Sequence, residues 1–365
     1  MIAAASQPDD QFNDPAADGR PAASGGGAPR DDGSGPGAFR VEATAAADSA
    51  NITPLSAVLQ EFGQNIFSGE RPVVYPVTNE VWGTIAFRPG EVFGIAAPPG
   101  TGKTAWVMQC AIDAQRLNDN VRVLIANVEM PPACLLERQV SRLSGVPFAR
   151  IADRDVHDHD RERIEQAMAT LGAIGDRMYF MGQPFTLEHI FEAVQVVQPN
   201  VLIIDYLQRI ECCEGTADVR SRLNTVMHAM RGLAHAGICV VVVSAVGRTS
   251  SKKNGGYNAQ ELGLASFRES GEVEYGCDDA AVLVEEGSRA DEEEQLGPRI
   301  IKLKHVKSRN RQRQNLRFEF EGSIQRFRLA PRQEESAGPV VVMPPTSFAR
   351  PWRDPAFDNF METET

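Results

Sequence analysis

The sequence predicts an α/β domain with a mostly parallel central sheet, flanked by helices and extended by antiparallel strands at its C-terminal end. Three observations carry this. Short apolar runs alternate with longer helical stretches from about residue 91 to 244. The first run passes through a Gly/Pro loop straight into a helix, as Glu91-Val-Phe-Gly-Ile-Ala96, then residues 97–102, then a helical stretch from Lys103. The apolar run Val201-Leu-Ile-Ile ends on a carboxylate, Asp205.

Residues 1–52 are rich in Ala, Gly, Pro, Asp and Ser and hold almost no large apolar side chain after Ile2. Such a segment cannot bury enough surface to offset its ordering entropy, so a disordered N-terminal tail is expected. Leu55, Val58, Leu59 and Phe62 recur at helical spacing, which predicts an amphipathic linker or packing helix within 53–70. The main domain is expected over 71–330.

Within it, strands are predicted at 91–97, 121–127, 177–181, 200–205 and 238–244, and helices near 103–117, 131–144, 160–172, 186–197 and 218–235. Their near-continuous Val, Ile and Leu content fits strands buried on both faces of a parallel sheet. Later strands are expected at 279–284, 298–305, 315–320 and 324–328, the last two joined by a turn at Glu321-Gly322-Ser323. From about 331 the chain returns to Pro, Ser, Glu and Asp, and a second disordered tail is expected over 331–365.

The chain has 365 residues and a formal net charge of −12, which argues against adhesion to nucleic acid over the whole surface. Base is nonetheless concentrated in 302–313, in Lys302, Lys304, Lys307, Arg309, Arg311 and Arg313. By itself this run reads as a solvated face or a nucleic-acid patch. The six cysteines show no zinc-ligand spacing, and neither a signal peptide nor a membrane-spanning apolar run is visible. A cytoplasmic protein without membrane contact is the expectation.

The chemistry concentrates in Ala97-Pro98-Pro99-Gly100-Thr101-Gly102-Lys103-Thr104, followed by Ala105. Its end matches the G-K-[ST] pattern of a nucleotide-phosphate loop, with Ala97 in place of the first glycine. Glycines let backbone N–H groups converge on phosphate oxygens, and the following helix adds its positive end. Lys103 would reach the β- and γ-phosphates of a nucleoside triphosphate, and Thr104 would help hold Mg²⁺. Asp205 would complete the Mg²⁺ site at the end of its strand. Glu129, after the strand at 121–127, is the candidate base for an attacking water; its spacing also suits a helix N-terminal acid before Pro131 and Pro132. Val240-Val-Val-Val-Ser244 ends where a γ-phosphate-sensing group would sit. Lys252 and Lys253, in the polar stretch Thr249 to Tyr257, would contact a phosphate backbone or else decorate a solvated loop.

The order of these motifs resembles the C-terminal motor domain of DnaB-type replicative helicases, from about Pro72 to Leu329. The similarity covers Ala97 to Thr104, then Asn127-Val-Glu-Met-Pro131 with Arg138 and Ser144-Gly-Val146, and Leu202-Ile-Ile-Asp-Tyr-Leu-Gln208. It continues through Phe267-Arg268-Glu-Ser-Gly271 with Val273, Glu274 and Asp278, and Lys307-Ser-Arg-Asn310 leading to Arg326-Phe327. The resemblance implies a RecA-like fold, ATP and Mg²⁺ as cofactors, and Glu129 as the catalytic glutamate. It implies that Lys307 and Arg309 enter the next subunit's nucleotide site, Arg309 as an arginine finger. It also implies a homo-oligomeric, hexameric ring on single-stranded DNA, with Arg268 joining Lys252 and Lys253 as a DNA-contact candidate.

The sequence departs from the family at three places. Ala245 follows Ser244 where the family has a glutamine that couples γ-phosphate to the DNA-binding loops. Arg311-Gln-Arg-Gln314 replaces a Gly-Pro-Thr-Gly turn and makes that edge more basic. The helical N-terminal domain usual in the family has no counterpart in residues 1–52. The leading expectation is an ATP-driven motor on single-stranded DNA. Its alternatives are a regulatory or loading ATPase without processive unwinding, and a nucleotide-binding scaffold with negligible turnover. The acidic C-terminal stretch with Trp352, Phe357 and Phe360 is a candidate docking peptide for a replication or loader protein, or a solubilising tail.

Overall fold

The structure, a computed structural model, describes residues 52–78, 85–212, 219–245, 275–286 and 297–331. Apart from Ile52 and Pro331, both predicted tails lie outside the described residues, as do Lys252, Lys253 and Arg268. By compactness the chain divides into Met1–Arg71 and Pro72–Thr365. Among the described residues of the first unit, helix α1 (Leu55–Phe67) follows Pro54, and its apolar residues Leu55, Val58, Leu59 and Phe62 are exposed.

The second unit opens with a two-stranded antiparallel sheet that the sequence did not reveal, β1 (Tyr75–Pro76) against β2 (Ala86–Phe87). The elements β3 (Val92–Ala97), α2 (Lys103–Leu117), β4 (Val123–Asn127) and α3 (Pro132–Ser144) follow. After them come α4 (Phe148–Ala152), α5 (Asp158–Gly172), β5 (Met178–Phe180), α6 (Leu187–Val197) and β6 (Val201–Asp205). The remainder is α7 (Val219–His235), β7 (Cys239–Ala245), β8 (Asp279–Glu285), β9 (Arg299–Ser308), β10 (Leu316–Glu321) and β11 (Arg326–Leu329). The expected turn between the last two strands is a 3-10 turn over Gly322–Ile324, closed by Gln325 in the left-handed region at φ 56°.

Strands β3 to β11 form one nine-stranded sheet in the order β11-β10-β9-β8-β3-β7-β6-β4-β5. Pairings from β8 through β5 are parallel, and those of β8-β9, β9-β10 and β10-β11 are antiparallel. This is the RecA-like mixed α/β architecture. Alternation along each strand divides the core into two layers. Phe93, Ile95, Val201 and Ile203 face the layer containing α2, where Trp106 is fully buried with its ring centroid 6.3 Å from that of Phe93. Val92, Ala96, Leu202 and Ile204 face the layer containing Leu223, Val226 and Met230 of α7. Both faces are covered, which is why these strands read as unbroken apolar runs.

Local signals set the helix ends. Pro131 and Pro132 begin α3, and Gly145, at φ 69°, ends it by donating its N–H to Ser141 O. Thr186 caps α6 by accepting from the His189 N–H at 3.2 Å. Among the described residues no helix is long and apolar enough to cross a membrane.

Candidate functional site

In a parallel sheet, groups for ligands gather beyond the C-terminal ends of the strands. Ala97 closes β3 there, residues 98–102 turn, and α2 starts at Lys103. Gly100 and Gly102 have φ of 81° and 92°, a region that only glycine enters without strain. At Gly102 there is a second reason. A Cβ would lie 2.9 Å from Cζ of Phe327 and 3.2 Å from Cζ of Phe320. Those two rings stack with centroids 4.3 Å apart. Gln109 of α2 holds Phe327 through both backbone groups, at 2.9 and 3.0 Å. Arg299 of β9 donates to Gly100 O at 3.1 Å and lies over the Phe320 ring at 5.1 Å. The antiparallel extension therefore buttresses the loop. No local sequence signal pointed to this, because the partners are about two hundred residues apart.

Directly beyond the loop, Thr104 Oγ1 donates to Asp205 Oδ2 at 2.6 Å, and Asn127 Nδ2 donates to the same oxygen at 3.0 Å. Burial pushes the Asp205 carboxyl above the usual carboxylate range; the Thr104 hydrogen bond and the Lys103 charge oppose the rise, and the Glu129 charge adds to it. Asp205 Oδ1 is buried and takes no hydrogen bond from any described residue. The Thr104 proton is committed to Asp205, so its oxygen presents lone pairs. A buried free carboxylate oxygen beside a hydroxyl oxygen with free lone pairs is a donor set that fits a hard divalent cation or the water around one. Among the described residues no group of three or more His, Cys, Asp or Glu side chains forms a metal cage.

Asn127 also fixes the turn carrying Glu129. Its Oδ1 accepts from the N–H groups of Glu129 and Met130 at 3.1 and 2.7 Å. Glu129 Oε2 lies 4.0 Å from Lys103 Nζ, at the outer limit of an ion pair, and the Glu129 side chain is 43% exposed. The structure thus brings Lys103, Thr104, Asp205 and Glu129 together and adds Asn127. The signal for Asn127 was present in the sequence: like Asp205, it ends an apolar strand with a polar side chain. Tyr206 lies beneath Lys103, with Nζ 5.9 Å from the ring centroid, and its hydroxyl accepts from Arg209 Nε at 2.7 Å. The buried Ser244 at the end of β7 accepts from Gln208 Nε2 at 2.7 Å.

Lys307 and Arg309 sit elsewhere, at the end of β9. Lys307 Nζ donates to Tyr275 O at 3.2 Å, and Arg309 Nη1 donates to Asp278 Oδ1 at 3.0 Å with half of its side chain exposed. The run 302–313 is less bare than its composition suggests. Lys302 faces Glu286 at 3.9 Å, and Arg311 bonds Glu91 and Asp279, both at 2.6 Å. Arg311 still adds base relative to the family's turn, but its charge is offset by neighbouring acids. Acids from strands distant in sequence pair with this arginine, and sequence spacing does not display them.

Comparison with known proteins identifies a family and several relatives. The family of the DnaB-like helicase C-terminal domain matches residues 83–329. Curated relatives include the replicative DNA helicase DnaB of Buchnera aphidicola subsp. Schizaphis graminum, 25% identical over 203 residues, or 53% of this chain and 42% of that protein. The replicative DNA helicase DnaB of Mycoplasma genitalium is 21% identical over 234 residues, 62% of this chain and 49% of that protein. The matched region thus spans less than half the length of either relative. Among solved structures, one isolated ATPase domain superposes with a TM-score of 0.64 at 17% identity, covering 76% of this chain and 99% of that domain. A DnaB-like replicative helicase, described with its interactions with primase, gives 0.59 at 17% identity over 75% of this chain and 66% of that one. The family match covers more than half of the chain, and the chain belongs to the DnaB-like helicase C-terminal domain family.

Proposed function

We propose that the chain is an ATP-hydrolysing motor subunit that acts on single-stranded DNA within a homo-oligomeric, hexameric ring. The observation that carries the chemistry is the Thr104–Asp205 contact at the head of α2, with Asp205 Oδ1 free. Thr104 and Asp205 would hold Mg²⁺, which when bound offsets charge on the triphosphate. The loop N–H groups and the N-terminus of α2 bind and orient phosphate oxygens. Lys103 places its ammonium where negative charge grows in the transition state. Glu129 accepts a proton from the attacking water as the water oxygen bonds to the γ-phosphorus. The bond from that phosphorus to the bridging oxygen breaks, and ADP departs. Arg309, half exposed at the end of β9, is suited to serve a neighbouring subunit's triphosphate rather than its own.

A second reading, a ring ATPase that switches state without unwinding, has one observation in its favour. Ala245 stands where the family places its coupling glutamine, and Ser244 is bonded instead by Gln208, in the 3-10 turn Leu207–Arg209 that follows β6. ATP hydrolysis and displacement of a paired strand, assayed on one preparation with Lys103→Ala as the blank, separate the two. DNA-stimulated hydrolysis with displacement supports the motor. Hydrolysis without displacement supports the switch, and nucleotide binding without hydrolysis refutes both.

A further inference from the structure

Asp278 lies just before β8 and is buried. Its backbone is fixed on both sides: its N–H donates to Val92 O at 2.8 Å, and its carbonyl accepts the Arg309 N–H at 3.0 Å. Its carboxylate is shared. Oδ2 accepts from the Val92 N–H at 2.9 Å and from Arg231 Nη1 of α7, while Oδ1 accepts from Arg309 Nη1. Val92 opens the strand that ends in the phosphate loop, so one carboxylate joins the central strand, the helix α7 and Arg309.

We propose that Asp278 is a positioning residue for Arg309, and that Arg231 allows it to orient that guanidinium without cancelling its charge. The proposal rests on the reading of Arg309 as a group acting in a neighbouring subunit. Charge decides the point. A carboxylate paired only with Arg309 would present a neutral pair to an incoming triphosphate. Two guanidinium groups on one carboxylate leave one net positive charge. Arg231 is 21% exposed and turned inward, whereas Arg309 is 50% exposed, so the surplus faces outward. Only one edge of the Arg309 fork is committed to Asp278; Nη2 approaches Tyr275 O at a long 3.5 Å, which leaves donors for phosphate oxygens. Holding a long side chain in place before subunits meet removes ordering that would otherwise accompany each catalytic event.

The test uses the full chain with Asp278→Asn and Arg231→Gln, beside Arg309→Ala and Glu129→Gln. Asp278→Asn is expected to lower kcat for ATP about tenfold with KM changed less than about twofold, the pattern of an interaction made only in the transition state. Mixed with Glu129→Gln protein, it should regain turnover, because its intact loop and Glu129 can meet a correctly held Arg309 from the other subunit. A defect of folding or of its own nucleotide site is not repaired by a neighbour. If Arg309→Ala is rescued by mixing and Asp278→Asn is slow but not rescued, or turns over at the parental rate, the positioning role is overturned while the arginine reading stands. If Arg309→Ala itself is not rescued despite demonstrated mixing, the arginine reading falls and this proposal with it. Should Asp278→Asn fail to fold, Arg231→Gln decides. Loss of kcat with rescue supports the proposal, and either parental turnover or an unrescued loss overturns it.

Discussion

Gly102→Ala is the substitution whose cost follows most directly from the structure. The residue sits at φ 92°, where an L side chain costs about 1–2 kcal/mol. Its new methyl would lie 2.9 Å from Phe327 Cζ and 3.2 Å from Phe320 Cζ. Neither ring has easy retreat. They stack on each other, Phe318 meets Phe327 edge-on at 6.1 Å, and Gln109 holds the Phe327 backbone on both sides. Overpacking of this kind adds about 1–3 kcal/mol. The expected loss is therefore about 2–5 kcal/mol, read as a lower urea midpoint at unchanged slope. Trimming the ring with Phe327→Leu should relieve the packing part and leave the backbone part. The double variant should accordingly be more stable than the sum of the single effects by about 1–2 kcal/mol. A Gly102→Ala midpoint equal to the parent's, or strict additivity in the cycle, would refute the claim that the C-terminal hairpin packs directly beneath the loop.

Glu129→Gln is expected to bind nucleotide normally while losing about 10²-fold or more in turnover, since it removes the proposed base and keeps the size; an ATPase assay beside a nucleotide-binding titration checks this. Asp205→Asn should weaken Mg²⁺-dependent turnover, because the free Oδ1 becomes an amide or a neutral oxygen, and an unchanged magnesium titration would contradict its role. The same variant carries a stability sign. A carboxyl raised by burial contributes stability that is present below its unfolded pKa and lost as pH rises through its folded pKa. At neutral pH the nucleotide-free Asp205→Asn protein should therefore melt above the parent, with both hydrogen bonds to the Oδ2 position retained by the amide oxygen. Arg299→Ala should raise KM for ATP about three- to tenfold through a looser Gly100 carbonyl, with kcat little changed, in steady-state kinetics.

Elements with their own local signal were legible. The runs at Val92–Ala97 and Val201–Asp205 could be read because strands buried on both faces have no polar alternation to confuse them, and α2 because a glycine loop and Lys103 mark its start. The two-residue strands β1 and β2 are too short to show a period. The five-residue helix α4 has the same difficulty. The start of α5 at Asp158 rather than 160 has a signal in the sequence, since Asp158 and Asp160 are the acids a first turn favours. What stayed hidden is long-range pairing. The aromatic floor under Gly102 and the Arg231–Asp278–Arg309 cluster join segments far apart in the chain. Spacing carries no trace of such contacts, which follow from sheet order.

Whether ATP is hydrolysed between subunits of a ring acting on single-stranded DNA is decided by turnover per chain across a dilution series. The series is run with and without single-stranded DNA, and particles are imaged in the same nucleotide. Closed rings are expected, with turnover that rises with DNA and collapses when dilution leaves single chains. Turnover per chain that is constant on dilution, in monomeric particles and indifferent to DNA, would contradict hydrolysis between subunits.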